Sequence, residues 1–261
     1  MLKINFGNVS YDYAKYRDRL PKVLFEQLKQ RGISFNNKKV IELGAGTGIV
    51  SRHLVEYGAK VIGIEPFIEL IEESIQIDQQ LEVSKIEYVN STAEEFEYEH
   101  PVQLMIAVRS WHWFDRHKVL LNIEKHLENG GHLIVINSIF KPDSEIARLT
   151  FEVLKNNDIV LKPAGSNADA VKRKFGFPLN WFDEWENHSF KLIDAWQQDY
   201  MLEFSHEEWC GKIRSVSWLT NESYHSKTII TNELMNRLAK HDSILKIPHQ
   251  YSVAILRYSK L

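Results

Sequence analysis

The chain has 261 residues, 44% of them apolar and 26% charged, with a formal net charge of −3. That length is enough for a full core, which excludes a peptide module, and the composition excludes disorder and low complexity. Basic and acidic residues number 16 and 19 up to position 140 and 16 and 16 beyond it, so neither half is built to neutralise nucleic-acid phosphates. No apolar run approaches the roughly 18 residues that cross a bilayer, and Met1 to Asn5 lacks the apolar segment of a signal peptide. The expected location is cytoplasmic, off the membrane, as a monomer or homodimer. The single cysteine, Cys210, has no companion at metal-ligand spacing and reads as a small buried hydrophobe, so no metal site is expected.

Residues 1–36 read as a helical lead-in, with Leu20, Val23, Leu24 and Leu28 at helical spacing after the aromatic residues Tyr11, Tyr13 and Tyr16. Lys38 to Leu43 is a short strand, stopped by Gly44, Gly46 and Gly48 and followed by a helix that ends at Gly58. Lys60 to Glu65 repeats the strand, and Pro66 suits the first turn of the next helix. Further strands fall at Lys85 to Asn90, Gln103 to Arg109 and His132 to Asn137. A helix that Asp115 caps and Gly130-Gly131 end precedes the last of them. Continuously apolar runs such as Leu104 to Val108 belong in parallel strands covered on both faces. The rhythm breaks after residue 140, where five of the seven tryptophans lie: Trp181, Trp185, Trp196, Trp209 and Trp218. Tyr251 to Tyr258 is again a strand, with its partner inside Ser189 to Leu202. The basic run Lys172-Arg173-Lys174 reads as a solvated loop.

The expected fold is therefore α/β: a Rossmann-like, doubly wound, seven-stranded, mostly parallel sheet with a helical, aromatic-rich insertion or lid in the C-terminal half. The expected organisation is an N-terminal helical flap over 1–36, a ligand-binding core over 37–140, and a variable substrate or lid region over 141–261 that also supplies the last two strands of the same sheet.

A glycine loop between a parallel strand and the following helix offers unpaired backbone amides and a close approach to a nucleotide-like ligand. Here the spacing is G-x-G-x-G in Gly44-Ala45-Gly46-Thr47-Gly48, with the third glycine one residue earlier than in the dinucleotide fingerprint. Glu42, at the strand end, is placed to organise the loop or a ligand ammonium. Glu65 ends the second strand, where a carboxylate reaches a ligand ribose.

On these motifs, residues 38–137 resemble a class I S-adenosylmethionine-dependent methyltransferase domain. Asn90 to Phe96 resembles the family segment that borders adenine, and Thr92, Ala93 and Glu94 are assigned to it by position. Within the family the chain is most similar to small-molecule methyltransferases of the trans-aconitate methyltransferase type, on Tyr13 to Pro21 and on Arg109 to Asp115. The resemblance implies S-adenosyl-L-methionine as cofactor, S-adenosyl-L-homocysteine as product and a small-molecule acceptor, methylated on oxygen or nitrogen, a carboxylate included. It implies a cofactor site of Tyr16, Glu42, Gly44, Ala45, Gly46, Gly48, Glu65, Pro66, Thr92, Ala93, Glu94, Arg109 and Ser110. His112, Arg109 and Arg17 are the catalytic candidates: His112 as general base, and the arginines as positioning cations, with Arg17 available to the cofactor carboxylate. A protein or RNA methyltransferase, or a cofactor-binding regulatory protein without turnover, are the competing readings.

Overall fold

In the computed structural model, which describes residues 6–166, 170 and 172–260, apolar residues alternating along each strand feed two opposite cores. Five strands come first: β1 (Lys39–Leu43), β2 (Lys60–Glu65), β3 (Ile86–Asn90), β4 (Val102–Val108) and β5 (Leu127–Phe140). A short hairpin, β6 (Arg173–Lys174) and β7 (Phe177–Pro178), precedes the long strands β8 (Phe190–Ser205) and β9 (Ile244–Tyr258). The sheet order is β3-β2-β1-β4-β5-β9-β8, with β1 to β5 parallel and β9 antiparallel to both of its neighbours. The seven-stranded, mostly parallel sheet expected from the sequence is therefore present, and its strand order reverses between β1 and β4.

The helices are α1 (Ser10–Tyr16), α2 (Lys22–Gln30), α3 (Ile49–Glu56), α4 (Ile68–Gln80), α5 (Arg116–His126), α6 (Glu145–Asn156), α7 (Leu179–Asn187), α8 (His206–Arg214) and α9 (Tyr224–Leu238). Val40, Leu104, Ile106, Ile134 and Val253 pack with Leu24 and Leu28 of α2 and Val50 and Leu54 of α3. Their sequence neighbours Ile41, Met105, Ala107, Leu133 and Ala254 pack on the other face with Leu120 and Ile123 of α5 and Trp181 and Trp185 of α7. Period two along each strand thus loads both faces, as a doubly wound sheet requires. No helix among the described residues is long and apolar enough to cross a membrane.

Strands β8 and β9 continue past the C-terminal ends of the parallel strands, pairing from Phe190 and Tyr258 to Ser205 and Ile244. Their overhang, with Phe140, Phe204, Leu245 and Ile247, forms a third core with α6, α8 and α9 around Trp209 and the buried Cys210. The C-terminal tryptophans therefore divide: Trp181 and Trp185 belong to the sheet core and Trp209 to the overhang.

Two local expectations are corrected. Gly130-Gly131 do not end a helix, because α5 stops at His126 and β5 starts at Leu127. Leu127 pairs with Val102 and His132 with Leu104, so four residues of β5 bulge opposite one of β4, and Gly130 supplies the positive φ of 81°. Pro66 is not in a first helical turn, since α4 begins at Ile68 with the extended Phe67 as its N-cap.

Candidate functional site

The topological reversal between β1 and β4 leaves a crevice at the carboxyl ends of these strands. Gly44, Gly46 and Gly48 form its floor with φ of 75°, 58° and 72°, the left-handed region in which side chains are strained. The amides of Gly44 and Ala45 both donate to the Ile64 carbonyl, which ties the turn to β2. Behind it, Arg52 pairs with Asp78 at 2.8 Å and donates to the Thr47 carbonyl at 2.6 Å, while the Tyr88 hydroxyl donates to Asp78 at 2.9 Å. Ser110, just past β4, donates to the Leu43 carbonyl at 2.7 Å, and a β-carbon on Gly44 would meet its side chain at 2.6 Å. Ser110 is in place to fix the width of the crevice.

Glu65 is 4% exposed and accepts from the amides of Gly46 at 2.9 Å and Phe67 at 3.1 Å. Burial raises its carboxyl to about 7, against the pull of those two amides. One lone pair on each oxygen is used, so each oxygen keeps another for a hydroxyl donor. Glu42, 1% exposed, accepts from the Ser51 hydroxyl on α3, and burial raises it to about 8. Its contact therefore braces the helix that follows the turn. Ala93 is buried and Thr92 half-buried, with the Thr92 hydroxyl unpartnered, while Glu94 accepts from the Asp115 amide at 2.8 Å. Pro66 is exposed, and its carbonyl accepts from Asn90.

The remaining candidates follow β4 or lie in α1 or at its end. Arg109 follows β4 with φ of 56°, and its guanidinium pairs with Asp18 at 3.1 Å and donates to the Asp18 carbonyl at 2.8 Å. Arg17 stacks on the Tyr13 ring at 4.6 Å, with a buried Nε that has no partner. Tyr16 turns toward α8, where its hydroxyl donates to Glu207 at 2.7 Å and its ring fills the space left by Gly211. Tyr11, the aromatic next to Asp12, is 63% exposed. His112 is lowered to about 3 by burial and by the nearby Arg17 charge, so its ring is neutral. Its carbonyl accepts from Ser166 at 3.2 Å.

Residues 41–135 match a family described as the methyltransferase domain. An uncharacterized methyltransferase of Mycobacterium bovis is 25% identical over 133 residues, 51% of this chain and 51% of that protein. The chain thus matches about half the length of its curated relatives. A type II methyltransferase structure from Anaeromyxobacter dehalogenans superposes with a TM-score of 0.63 at 16% identity, covering 94% of this chain and 98% of that one. Phosphoethanolamine N-methyltransferase 2 of Haemonchus contortus, solved with S-adenosylhomocysteine, gives 0.55 at 14% identity, covering 97% and 57%.

Residues 41–135 are thus similar to a methyltransferase domain, on the fold of solved methyltransferases. The donor of that class of enzyme is S-adenosylmethionine, and the residues fit it: side-chain-free backbone at Gly44, Gly46 and Gly48, a buried carboxylate at Glu65, and buried polar atoms without partners at Thr47, Thr92 and Arg17. Sequence reasoning expected a flap over the crevice from Tyr11, Tyr16 and Arg17 and missed Tyr13 and Phe6. The Tyr13 ring stands 3.4 Å from where a β-carbon on Gly46 would lie, and the Phe6 ring packs edge-on against Tyr13, Phe67 and Trp113 at 6.0, 6.4 and 5.6 Å. Tyr13 was within reach of the sequence, since it opens the same motif as Tyr16 and Arg17; nothing in the local pattern marks Phe6.

Proposed function

We propose that the protein transfers a methyl group from S-adenosylmethionine to a small-molecule acceptor, on oxygen or nitrogen, within one chain organised as flap, donor-binding core and acceptor-side region. The observation that supports this most is the buried Glu65 carboxylate held against the Gly46 amide at the strand-order reversal. When bound, the donor supplies an electrophilic methyl on a sulfonium whose charge is lost in an in-line displacement, so the protein's work is alignment and exclusion of water.

In this reading Glu65 accepts the ribose hydroxyls, and the turn from Gly44 to Gly48 lets the backbone close on the amino-acid arm. Thr92, Ala93 and Glu94, with Pro66 at the rim, border the adenine. Ser110 and Glu42 hold the turn and α3 in position, and Arg17 is offered to the donor carboxylate. Tyr13 and Phe6 join Trp113 in covering the crevice, and Tyr16 anchors that cover to α8. His112, being neutral, accepts a hydrogen bond from the acceptor and helps to orient it; with a proton affinity this low it stores no proton at neutral pH. Arg109 keeps the acceptor side cationic.

The test is incubation of a metabolite extract with methyl-labelled donor, followed by identification of the labelled product. A small labelled metabolite supports the proposal; label found only in protein or RNA overturns the acceptor class. Gly46→Val is expected to abolish binding of S-adenosylhomocysteine by calorimetry, and Glu65→Ala to weaken it by about 1.5–3 kcal/mol. Undiminished affinity in both variants would sink the site.

A further inference from the structure

A second charged cluster sits at the carboxyl edge of the sheet, under the overhang. Asp18 pairs there with both Arg109, at 3.1 Å, and Lys212 of α8, at 2.5 Å. Lys212 is 3% exposed, and its ammonium lies against the rings of Phe204, Trp209 and Phe140 at 4.8, 5.6 and 5.9 Å. It also meets His249 Nε2 at 2.8 Å, while His249 Nδ1 faces the Ile247 carbonyl at 2.8 Å. That places the imidazole proton on Nδ1 and leaves the Nε2 lone pair for the ammonium. Burial and the Lys212 charge lower His249 to about 4, so it brings no charge of its own.

The balance of charge is one-sided. Both Arg109 and Arg17 act on Lys212 electrostatically and help to lower it, after burial. Against these three cations stands one buried carboxylate, Asp18. Glu203, Glu207 and Glu208 lie at the solvent-exposed rim, and Glu207 is already engaged by Tyr16 and Lys15. Buried charge is costly without a partner, so a site with two surplus cations, of which Arg17 is half-buried, is suited to an anionic ligand. A cavity of about 200 Å³ reaches this cluster at Arg17 and Asp18, with Lys15, Arg19, Glu203 and Glu208 also in its wall, and Arg109 and Lys212 reach it only through Asp18.

Building on the methyltransferase reading above, we propose that Lys212 and Arg109 form an oxyanion subsite for the acceptor, which carries a carboxylate or phosphate group, with Asp18 as the internal counter-ion. Of the two surplus cations, one is answered by the donor's carboxylate at Arg17 and the other by this group of the acceptor. The oxyanion held here anchors the acceptor and leaves its methylated atom to be chosen by the rest of the crevice.

The experiment is calorimetry on protein saturated with S-adenosylhomocysteine, titrated with glutarate, inorganic phosphate and the neutral diamide of glutaric acid at fixed ionic strength. Saturable binding of one anion at least tenfold tighter than the diamide is expected, and which anion binds tells carboxylate from phosphate. Lys212→Met is expected to lose at least tenfold and Lys212→Arg to retain most of the affinity. Asp18→Asn, which removes the competing carboxylate, is expected to tighten the anion severalfold, a gain that a purely structural clasp would not give. If Lys212→Met does not fold, the wild-type and Asp18→Asn titrations decide. No saturable anion binding to the loaded wild type, or no gain in Asp18→Asn, overturns the subsite. Failure of S-adenosylhomocysteine itself to bind overturns the donor reading first, and is seen in the loading step.

Discussion

At Gly48 the backbone has φ of 72°, and an added β-carbon would run into the hydroxyls of Tyr88 and Ser74. Both hydroxyls belong to the packing behind the ligand turn, so the substitution strains the site as well as the fold. Gly48→Ala is expected to destabilise the protein by about 1–3 kcal/mol in urea unfolding. At Gly32 φ is 82° with no neighbour within 4 Å of the missing β-carbon, so only the backbone penalty of roughly 1–2 kcal/mol applies to Gly32→Ala. A larger loss at Gly32 than at Gly48 would contradict the packing described. Glu65 yields a different expectation, because in the proposed donor site its proton would compete with the ribose. With a carboxyl raised to about 7, affinity for S-adenosylhomocysteine should rise from pH 5.5 to 8 as the group ionises and becomes acceptor-only. Calorimetry across that range on the wild type and Glu65→Gln checks it: the glutamine variant should be flatter, and equal slopes would refute the assignment.

Elements made from local apolar pattern were legible, and those made by distant contacts were not. Strands β1 and β2 announce themselves as Val40-Ile41 and Val61-Ile62 runs ended by glycine or a charged residue, and period two sorts each residue to its face. The start of β5 was hidden because Glu128-Asn129-Gly130-Gly131 carries turn chemistry, and only pairing with β4 draws it into the sheet. The same holds for α1, whose place is set by α8. Arg214 donates twice to Asp12 at 2.9 Å, Tyr16 donates to Glu207, and Gly211 leaves the gap that the Tyr16 ring occupies. Residues two hundred positions apart carry no joint signal in a single sequence. The contact does make a prediction: in Gly211→Ala the new methyl group would run into the Tyr16 ring and lift α1 from α8. Amide exchange over residues 10–21 should then speed up severalfold while β1 and β4 stay protected. Unchanged exchange in the N-terminal segment would show that the two helices are not held this way.

Taken as a whole, the molecule buries ionisable groups of opposite tendency, and their balance fixes how its stability follows pH. Asp18 is held well below the usual carboxylate range by Lys212 and Arg109 against its own desolvation, so its contribution is lost only in strong acid. His112, His53 and His249 are lowered to about 3, 4 and 4, chiefly by burial, so an unfolded chain takes up protons below about pH 6.5 that the folded chain refuses. Stability therefore falls on that side as pH decreases. Glu42 and Glu65 act in the other direction, because with carboxyls at about 8 and 7 the folded state keeps protons that the unfolded state gives up near pH 4.5. Holding those protons weakens the fold as pH rises from 4.5 to 8, and above pH 6.5 the loss is no longer offset by the histidines. Lys212, lowered to about 8, begins to lose its proton in the folded state only toward the top of that range and offsets part of the loss there. The midpoint of thermal unfolding should accordingly drop between pH 6.5 and 8. Glu42→Gln should remove the larger part of that drop, because glutamine still accepts from Ser51 without an ionisation to suppress. A tenfold difference in proton affinity between folded and unfolded chain is worth about 1.4 kcal/mol, so the two proteins should differ at pH 8 by several degrees in midpoint. A wild-type midpoint flat over this window, or an equal slope in the variant, would mean that Glu42 is not held protonated behind the glycine turn.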